Sequence, residues 1–237
     1  MTDTLPAMRR RVPWLAATVF AVRSETQAAR TIVLDVPGWP GHSAGQHVDV
    51  KLTAPDGYSA ERSYSLAAPA AGTRLELTVQ RVDDGEVSPY LVDELLPMDQ
   101  LELRGPIGGW FTWHTDEPGP VLLVAGGSGI VPLMAMVRAR AVAGSSAPFT
   151  LVYSVRGPAD EYYAEELRAA DIDVRFLHTR TGSPGRRIAA ADLPDMVGAR
   201  VYVCGPTGFV ESVSELLLAA GHAPADIRTE RFGPSGG

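Results

Sequence analysis

The sequence has very little cysteine: Cys204 is the single one among its 237 residues. An internal disulfide needs two thiols, and a four-cysteine zinc or iron–sulfur site needs four, so the sequence excludes both kinds of site. Histidine is nearly as scarce, and its positions show none of the close spacings that metal ligands share. The five histidines are His42, His47, His114, His178 and His222. We therefore expect no metal site and expect surface or core roles for these histidines.

An excess of basic charge is also missing. The chain carries 21 Lys and Arg against 28 Asp and Glu, which gives a formal net charge of −7 and a pI near 5.2. Nucleic-acid-binding proteins present a basic face, so this balance argues against that class. Hydrophobic residues make up 45% of the chain, which is enough for a packed core and argues against a disordered protein.

No targeting or membrane segment stands out. Residues 1–11 are polar and basic and lack the apolar core of a secretory signal, so we expect a ragged tail and a soluble, cytoplasmic protein. The three arginines at 9–11 could contact an acidic partner, although a solvated tail is the simpler interpretation. The apolar stretch 121–143 contains three glycines, a proline and two arginines, so we expect no membrane span.

The most informative stretch is residues 121–132, with the sequence VLLVAGGSGIVP. Five apolar residues run into a glycine-rich turn, and an apolar helical pattern follows at residues 133–143. This order predicts a buried strand, a tight loop and a helix with Pro132 in its first turn. Unpaired N–H groups at such a helix start favour an anion, which indicates a seat for a nucleotide pyrophosphate. The glycines could also serve only to turn the chain.

Three more specific motifs are incomplete in this stretch. An ATP-binding phosphate loop needs Lys and then Ser or Thr after the glycines, and neither follows. The dinucleotide fingerprint needs a third glycine where Pro132 stands. A nucleophile elbow needs Gly-x-Ser-x-Gly, and Ile130 occupies its last position, which disfavours a hydrolase built on Ser128.

Residues 14–104 show the pattern of antiparallel β-structure. Short runs rich in Val, Ile, Thr and Phe are separated by turn residues, which predicts a small barrel or sandwich. The six predicted strands are residues 15–22, 31–36, 47–52, 62–66, 74–82 and 99–104. A polar segment, residues 23–30, separates the first two, and one short helix is expected at residues 88–96.

After Gly119 and Pro120 the pattern changes to alternating strands and helices, which predicts a parallel sheet covered on both faces. The predicted strands are residues 121–125, 148–154, 172–178, 200–204 and 226–232. The predicted helices are residues 131–143, 160–170, 188–196 and 207–220. A polar, proline-containing segment at 115–119 marks the boundary, which gives predicted domains of residues 12–116 and 117–237.

Two motifs of the β-rich half are suited to phosphate chemistry. Residues 62–65 (Arg-Ser-Tyr-Ser) on a strand put a cation and an aromatic ring on one side, which suits a phosphate and a flat heterocycle. An ordinary strand with a surface arginine explains them too. Gly85, Ser88 and Pro89 predict a capped helix start whose free N–H groups can hold a second phosphate. Three nearby acidic residues count against that interpretation.

Seven short motifs lie along the chain in a fixed order. They are Arg62-Ser63-Tyr64-Ser65; Gly85-x-x-Ser88-x-x-Leu91; Gly105-Pro106-x-Gly108-x-x-Phe111; GGSGIVP at 126–132; Tyr153-Ser154-Val155-Arg156 with Asp160-x-x-Tyr163-x-x-Glu166-Leu167; Cys204-Gly205-Pro206; and Glu230-Arg231-Phe232-Gly233. Together they resemble the ferredoxin–NADP⁺ reductase-like flavoproteins, over residues 14–233. The resemblance implies an N-terminal antiparallel six-stranded flavin-binding barrel followed by a C-terminal parallel α/β domain for a nicotinamide dinucleotide.

The resemblance also implies roles for individual residues. Arg62 would pair with the FAD pyrophosphate, Tyr64 would pack on the isoalloxazine, and Ser65 would hydrogen-bond near the flavin N5. The other implied FAD-binding residues are Ser63, Gly85, Val87, Ser88 and Phe232. The implied nicotinamide-nucleotide residues are Gly127, Ser128, Gly129, Cys204, Gly205 and Pro206. The implied catalytic residues are Ser65, Cys204 and Glu230: Cys204 would pack at the transfer site, and Glu230 or Ser65 would assist proton movement.

The loop at residues 178–187 bears on the choice between NADPH and NADH. Its Thr-Arg pair followed by Gly-Arg resembles the clamp that NADP-using members place on the 2′-phosphate. Arg180, one of Arg186 and Arg187, and Arg156 would be the cations, unless they are only solvated loop arginines. We therefore expect FAD as the flavin and a preference for NADPH, with NADH possible.

The implied activity is hydride transfer from the nicotinamide to FAD, followed by delivery of single electrons. Because one cysteine cannot hold an iron–sulfur cluster, we expect no ferredoxin domain within this sequence. The acceptor would be a separate ferredoxin, haem, molybdenum or oxygenase protein. The alternatives are a small-molecule diaphorase or flavin reductase, an FMN-only enzyme, and a flavin-binding electron-transfer subunit of a larger complex. The complete motifs at 126–130 and 204–206 disfavour a subunit that has lost its nucleotide site.

Overall fold

The computed structural model describes residues 12–181 and 186–233. The predicted tail with its arginines at 9–11, residues 182–185 of the predicted clamp loop, and the end at 234–237 lie outside the described residues. The N-terminal half forms one six-stranded antiparallel sheet, which confirms the prediction. Its strands are β1 (Leu15–Thr26), β2 (Ala29–Asp35), β3 (His47–Thr53), β4 (Ser59–Ser65), β5 (Arg74–Gln80) and β6 (Gln100–Ile107).

The six strands curl into a barrel. Their order is β4-β3-β6-β1-β2-β5, so β4 and β5 are the two edges. Leu66, directly after β4, forms an antiparallel bridge with Leu77 of β5. The next residue, Ala67, donates its N–H to the Glu76 carbonyl at 2.8 Å. These bonds bring the edges together, and fully buried aliphatic side chains fill the interior.

The first hairpin differs from the prediction. The polar segment at residues 23–30, expected to separate two short strands, is itself mostly strand, because β1 continues to Thr26 and β2 begins at Ala29. The Glu25 side chain is only 8% exposed. It accepts hydrogen bonds from Thr31 Oγ1 at 2.6 Å and from the Tyr163 backbone N–H at 3.1 Å. Hydrophobic alternation does not mark this strand, because its polar side chains find partners inside the fold.

The predicted helix at residues 88–96 is wrong in its length. It is a single turn, Tyr90–Glu94. Ser88 does not cap it, because its hydroxyl accepts a hydrogen bond from the Val82 backbone N–H at 3.1 Å. Leu95 is already extended, and Pro97 disfavours a helical conformation for the residue before it, so the helix ends early.

The C-terminal half is a five-stranded parallel sheet in the order β11-β10-β7-β8-β9. Its strands are β7 (Val121–Gly126), β8 (Phe149–Val155), β9 (Asp173–His178), β10 (Arg200–Pro206) and β11 (Ile227–Phe232). The helices are α1 (Ile130–Val142), α2 (Ala164–Ala169) and α3 (Thr207–Ala219). Val121 and Leu123 of β7 pack in the core with α1, while Leu122 and Val124 pack in the core with α3. Both faces of the sheet are therefore covered, as predicted.

Two other predicted helices are shorter than expected. The segment predicted as a helix at 160–170 is a short helical turn, Pro158–Asp160, followed by α2. Tyr163 between them has a φ of 55°, a left-handed conformation that interrupts a helix. The piece predicted at 188–196 is one turn, Ala190–Asp192, and Pro194 follows too closely for the helix to continue.

The barrel and the parallel sheet pack directly against each other. Trp113, in the connection between β6 and β7, is buried in the same core as α1. Arg138 of α1 donates to the Ala67 carbonyl at 2.9 Å and pairs with Glu76 at 3.2 Å. The Tyr202 hydroxyl of β10 donates to the Thr112 carbonyl at 2.9 Å. Across the ranges 12–181 and 186–233, no helix has the length and hydrophobicity to cross a membrane.

Candidate active site

A cavity of about 700 Å³ lies at the carboxyl edge of the parallel sheet. Each of the five parallel strands contributes a residue at or just beyond its C-terminal end, and α3 contributes its first turns. In the order β7, β8, β9, β10 and β11, these residues are Gly126, Val155, Thr179, Pro206 and Phe232. The tip of the β1–β2 hairpin forms the barrel side of the cavity. Open parallel sheets bind their ligands at this edge, so the cavity is a candidate nucleotide site.

Three glycines allow the backbones beneath this cavity to approach each other. A Cβ on Gly129 would lie 2.1 Å from the Cys204 carbonyl oxygen. A Cβ on Gly126 or on Gly205 would lie 2.7 Å from the Phe209 ring. No larger residue fits without displacing the neighbouring chain. The glycines of the two motifs therefore bring the β7 loop, the end of β10 and the start of α3 into contact.

The structure brings most of the predicted nicotinamide-nucleotide residues together. Those that line the cavity are Gly127, Ser128, Arg156, Arg180, Arg186 and Pro206, and Phe232, which was predicted for the flavin side, lines it as well. Gly129, Cys204 and Gly205 lie beneath the floor instead, in the packing described above. The cavity also has lining residues that the sequence did not single out. They include Thr26, Ala28 and Gln80 of the barrel, together with Tyr162 and Phe209. A sequence pattern could hardly identify the barrel residues, because they reach the cavity only through the packing of the two sheets.

Four arginines give this cavity a cationic end. Arg156, Arg180, Arg186 and Arg187 all line it and are exposed. The Arg180 backbone N–H donates to the Arg156 carbonyl at 2.9 Å, which places these two residues side by side. Arg186 is held by Asp192 at 2.5 Å. The hydrogen bond and charge of Asp192 raise the pKa of Arg186 above its usual range, so this guanidinium remains fully charged.

The predicted flavin-binding strand is β4. Arg62 is exposed and pairs with Glu86 at 2.7 Å, and Glu86 also accepts from the Tyr58 hydroxyl at 2.6 Å. Ser63 donates to Asp49 of the neighbouring strand at 2.6 Å. Tyr64 is half-buried, and burial raises its pKa to about 12, so it stays neutral. Arg62 is therefore an accessible cation on the same strand as a neutral aromatic ring.

The loop at residues 82–88 stands next to Arg62 through the Arg62–Glu86 pair. Gly85 donates its N–H to the Val82 carbonyl at 2.9 Å, and a Cβ on it would lie 2.9 Å from the Ser88 hydroxyl oxygen. Val87 is fully buried in the barrel core. The predicted phosphate-binding residues Gly85, Val87 and Ser88 thus form one compact loop beside Arg62, with the Gly85 N–H already paired.

His47 lies between the three predicted catalytic residues. It is the direct partner of Ser65 in the β3–β4 ladder, and its Nδ1 lies 3.8 Å from Oε1 of Glu230. Glu230 in turn pairs with Cys204 in the β10–β11 ladder. The His47–Glu230 contact therefore brings the barrel strand that pairs with Ser65 against the two parallel strands that carry Cys204 and Glu230. His47 was expected to be an ordinary histidine, although it begins the predicted strand at 47–52; only the pairing of that strand with β4 puts it opposite Ser65.

Burial shifts the pKa values of this cluster. It raises the pKa of Glu230 to about 7. It also raises the pKa of the Cys204 thiol well above its usual range, with a further contribution from the Glu230 charge. Burial lowers the pKa of His47, and Asp49 partly counteracts this. Oε2 of Glu230 is buried and has no hydrogen-bond partner among the described residues. Near neutral pH, Glu230 can therefore hold or release a proton, whereas Cys204 stays a neutral thiol.

The loop after β6 packs on the same cluster. Gly108 has a φ of 92°, and a Cβ there would lie 3.4 Å from Nδ1 of His47. The Gly108 carbonyl accepts a hydrogen bond from Gln46 Nε2 at 2.7 Å. A Cβ on Gly105 would lie 2.8 Å from Val48 Cγ1. Glycine is therefore needed at both positions of the Gly-Pro-x-Gly motif, because it lets the end of β6 and the loop after it lie close to β3 at Val48 and His47.

A barrel with an exposed Arg-Ser-Tyr-Ser strand, packed on a parallel sheet with a nucleotide-sized cavity, defines a flavin- and nicotinamide-dependent oxidoreductase. Comparisons with known proteins agree. Family models described as an oxidoreductase FAD-binding domain and an oxidoreductase NAD-binding domain match residues 22–112 and 123–215. The chain is 31% identical over 233 residues to the ferredoxin–NAD(P)⁺ reductase component of the naphthalene 1,2-dioxygenase/salicylate 5-hydroxylase systems of Ralstonia sp, covering 92% of this chain and 69% of that protein.

Two further comparisons support the same family. Ferredoxin–NADP reductase B of Sorangium cellulosum is 36% identical over 209 residues, covering 80% of this chain and 84% of that protein. The solved FAD/NAD-binding domain of a nitric oxide dioxygenase from Vibrio cholerae has a TM-score of 0.82 and 25% identity, covering 94% of this chain and 100% of that one. The chain belongs to the ferredoxin–NAD(P)⁺ reductase family. It is an FAD-containing, NAD(P)H-dependent reductase, which confirms the predicted enzyme class.

Proposed function

We propose that this chain takes electrons from NADPH and delivers them to a separate redox protein of an oxygenase or ferredoxin system. One observation carries the proposal: His47, the ladder partner of Ser65 in the barrel, lies 3.8 Å from Glu230, the ladder partner of Cys204, and these two parallel strands reach the cavity two residues later at Pro206 and Phe232. A flavin on the barrel and a nicotinamide in the cavity would therefore meet at this cluster. When bound, FAD accepts a hydride from the nicotinamide and releases electrons singly.

The barrel residues fit the binding of FAD. Arg62 is an exposed cation whose partner, Glu86, is itself exposed, so the guanidinium can exchange Glu86 for a pyrophosphate oxygen. Tyr64 offers a neutral, half-buried ring for packing on a flat heterocycle. The compact loop of Gly85, Val87 and Ser88 beside Arg62 supports a second phosphate group nearby, and hence FAD rather than FMN. Phe232 at the end of β11 would cover the flavin from the other side.

The cluster of Ser65, His47, Cys204 and Glu230, of which only Cys204 is fully buried, fits proton handling and positioning. Glu230 has a pKa of about 7 and a free carboxylate oxygen, so it can give or take a proton near the transfer site. His47 stands between Glu230 and Ser65 and can pass a proton between them. Cys204 contributes shape, since its thiol stays neutral and hydride transfer needs no nucleophile. We assign catalytic roles to Ser65, Cys204 and Glu230, and we add His47, which the sequence did not indicate.

The cavity residues fit a nicotinamide dinucleotide with a 2′-phosphate. Gly127 and Ser128 follow β7 at the edge where a pyrophosphate binds. Arg156, Arg180 and Arg186 form the cationic end that a 2′-phosphate needs, which supports NADPH over NADH. We also propose residues 12–116 as the FAD-binding unit and 117–237 as the nicotinamide-binding unit. The separate matches to residues 22–112 and 123–215 support this division.

The acceptor follows from the relatives. One relative is named as the reductase component of a dioxygenase system and another as a ferredoxin–NADP reductase. We therefore propose a ferredoxin or the oxygenase itself as acceptor, and we keep a haem or molybdenum protein as further candidates. A cytoplasmic location stays a prediction.

An anaerobic titration of the FAD-reconstituted chain tests this function. We expect NADPH to bleach the absorbance of the oxidised flavin, and a ferredoxin to restore it faster than small-molecule dyes do. Bleaching that only dyes or quinones reverse would favour a diaphorase. A yellow protein that neither NADPH nor NADH bleaches would indicate an electron-transfer subunit and would contradict the proposal.

A further inference from the structure

Glu161 is a buried carboxylate in the wall of the nucleotide cavity. Its side chain is only 1% exposed. Its two sequence neighbours, Asp160 and Tyr162, both line the cavity. A charge is costly to bury unless it is paired and hydrogen-bonded, so a carboxylate this deeply buried needs partners that offset its desolvation. Oε1 of Glu161 lies 2.7 Å from Nε2 of His178, and Oε2 accepts from the guanidinium of Arg168.

These two partners come from the elements that shape the cationic end of the cavity. His178 is the last residue of β9, and Arg180 follows it by two positions. Arg168 belongs to α2 and is half exposed. On the other side, Arg156 directly follows β8 and precedes the turn that leads to Glu161. The Glu161–His178 bond therefore joins the loop that begins at Arg156 to the loop that carries Arg180.

The same turn is fastened at its far end by the barrel. Glu25 of β1 accepts a hydrogen bond from the Tyr163 backbone N–H at 3.1 Å. The Tyr162 backbone N–H donates to the Tyr153 hydroxyl oxygen at 3.2 Å. The turn thus has fixed attachments to the barrel and to β8, and Glu161 attaches it to β9. Loss of the Glu161 bonds would leave the turn in place but would release its hold on the β9 loop.

The pairing of Glu161 also controls charge. Both of its oxygens are occupied, one by Arg168 and one by His178, so the carboxylate does not draw on the cations of the cavity.

We propose that Glu161 is a positioning residue, which with His178 supports the Arg180–Arg156 backbone bond and so holds Arg156 and Arg180 at the spacing that a 2′-phosphate requires. It thereby sets the preference for NADPH over NADH without touching the reacting atoms. The inference rests on the proposed use of this cavity for a nicotinamide dinucleotide. It identifies a specificity determinant outside the arginines themselves.

The test compares steady-state constants for NADPH and NADH in FAD-loaded variants. We expect E161L and H178A to raise KM for NADPH ~10-fold, to change KM for NADH less than ~3-fold, and to leave kcat within ~2-fold. E161Q should fall in between, because its amide oxygen can still accept from His178 while the charge pair with Arg168 is lost. H178Q should recover part of the loss in H178A, because glutamine can donate to Glu161.

Arg175 supplies the matched control. It lies on the same strand as His178, and its exposed ion pair with Asp173 at 3.0 Å is away from the cavity. R175Q should behave as the wild type with both nucleotides. If E161L does not fold, H178A breaks the same bond while Arg168 still pairs with Glu161, and its NADPH constants decide in the same way.

The outcomes separate the inference from the proposed function. Equal changes in KM for NADPH and NADH across the Glu161 and His178 variants would overturn the specificity role, as would values that match R175Q. If the wild type still prefers NADPH in that case, the specificity role of Glu161 is wrong but the proposed function is retained. A wild type that uses neither nucleotide, or that shows no preference for NADPH, overturns the proposed clamp and the inference with it.

Discussion

The cavity at the carboxyl edge of the parallel sheet and the cluster of Ser65, His47, Cys204 and Glu230 differ in how far their ionisable groups are exposed to solvent. In the cavity, Arg156, Arg180 and Arg186 are exposed to solvent, and Arg186 keeps its charge beside Asp192. In the cluster, burial raises the pKa of Glu230 to about 7 and keeps Cys204 neutral. Solvated cations suit recognition, because they attract an anion before it binds. Desolvated acids suit chemistry, because their protonation can change during the reaction.

The largest effect on both regions is expected from a change in the glycine packing that joins the β7 loop to the end of β10. Gly129→Ala places a Cβ about 2 Å from the Cys204 carbonyl oxygen, where the backbone must move. We expect a loss of about 3 kcal/mol in the free energy of unfolding, which thermal denaturation would measure. Gly208→Ala is the control, since a Cβ there meets no atom within 4 Å and alanine favours helix α3. Equal stability of the two variants would contradict the shared packing.

The next largest effect concerns Arg62, the exposed cation of the flavin side. Arg62→Ala should weaken FAD binding ~100-fold, because a charge-assisted pair with the pyrophosphate is lost. Glu86→Ala should tighten FAD binding or leave it unchanged, because it frees Arg62 from its present partner. Flavin affinity is measured by fluorescence titration of the flavin-free chain. Weaker binding in Glu86→Ala would mean that Arg62 needs Glu86 for its position.

A smaller effect is expected for the cationic end of the cavity. Arg180→Ala should lower the NADPH/NADH ratio of kcat/KM ~30-fold while flavin content stays unchanged, because the 2′-phosphate loses one cation. Steady-state assays with both nucleotides measure the ratio. Arg140, which donates to the Ala147 carbonyl at 2.7 Å on the other end of α1, supplies the control variant Arg140→Ala. An unchanged ratio in Arg180→Ala would show that the clamp assignment is wrong.

The smallest effect is a pH dependence of stability from Glu230. Its pKa in the folded chain, about 7, lies above the ordinary value of 4.5, so the folded state binds the proton more tightly. The stability that Glu230 contributes is therefore complete below about pH 4.5 and is lost as the pH rises through about 7. Glu230→Gln should be about 1 kcal/mol more stable than the wild type at pH 8 and equal to it near pH 4. Denaturant titrations of the flavin-free proteins at both pH values measure this, and a constant difference would contradict the burial effect.

The sheet architecture could be predicted because its strands carry a strong local signal. Residues 121–125 are a continuous apolar run, and β7 is buried on both faces as that run requires. The ends of elements were harder to predict. Glu25 and Thr31 are polar yet lie within strands, because their partners come from β5 and from the distant Tyr163. Such long-range partners leave no trace in a local pattern.

In the candidate site, too, some features have a local sequence signal and others depend on long-range contacts. Glycine motifs such as 126–129 are visible in sequence, because the close approach of two backbones excludes every larger residue. The His47–Glu230 contact joins residues 183 positions apart, and a contact of this kind depends on how the two sheets pack. The buried Glu161 was equally hidden, because nothing in the sequence around it indicates that a carboxylate there points inward.

The contact between Gly129 and the Cys204 carbonyl has a consequence for how accurately the cofactors are placed. The β7 loop and the end of β10 are in van der Waals contact at one peptide group, so both are located relative to the same point. If one of these two segments shifts, the other shifts with it, so the distance between them stays nearly constant. In the nicotinamide site proposed above, the separation of the β7 loop from Cys204 is then set by atomic radii, which temperature and solvent scarcely change.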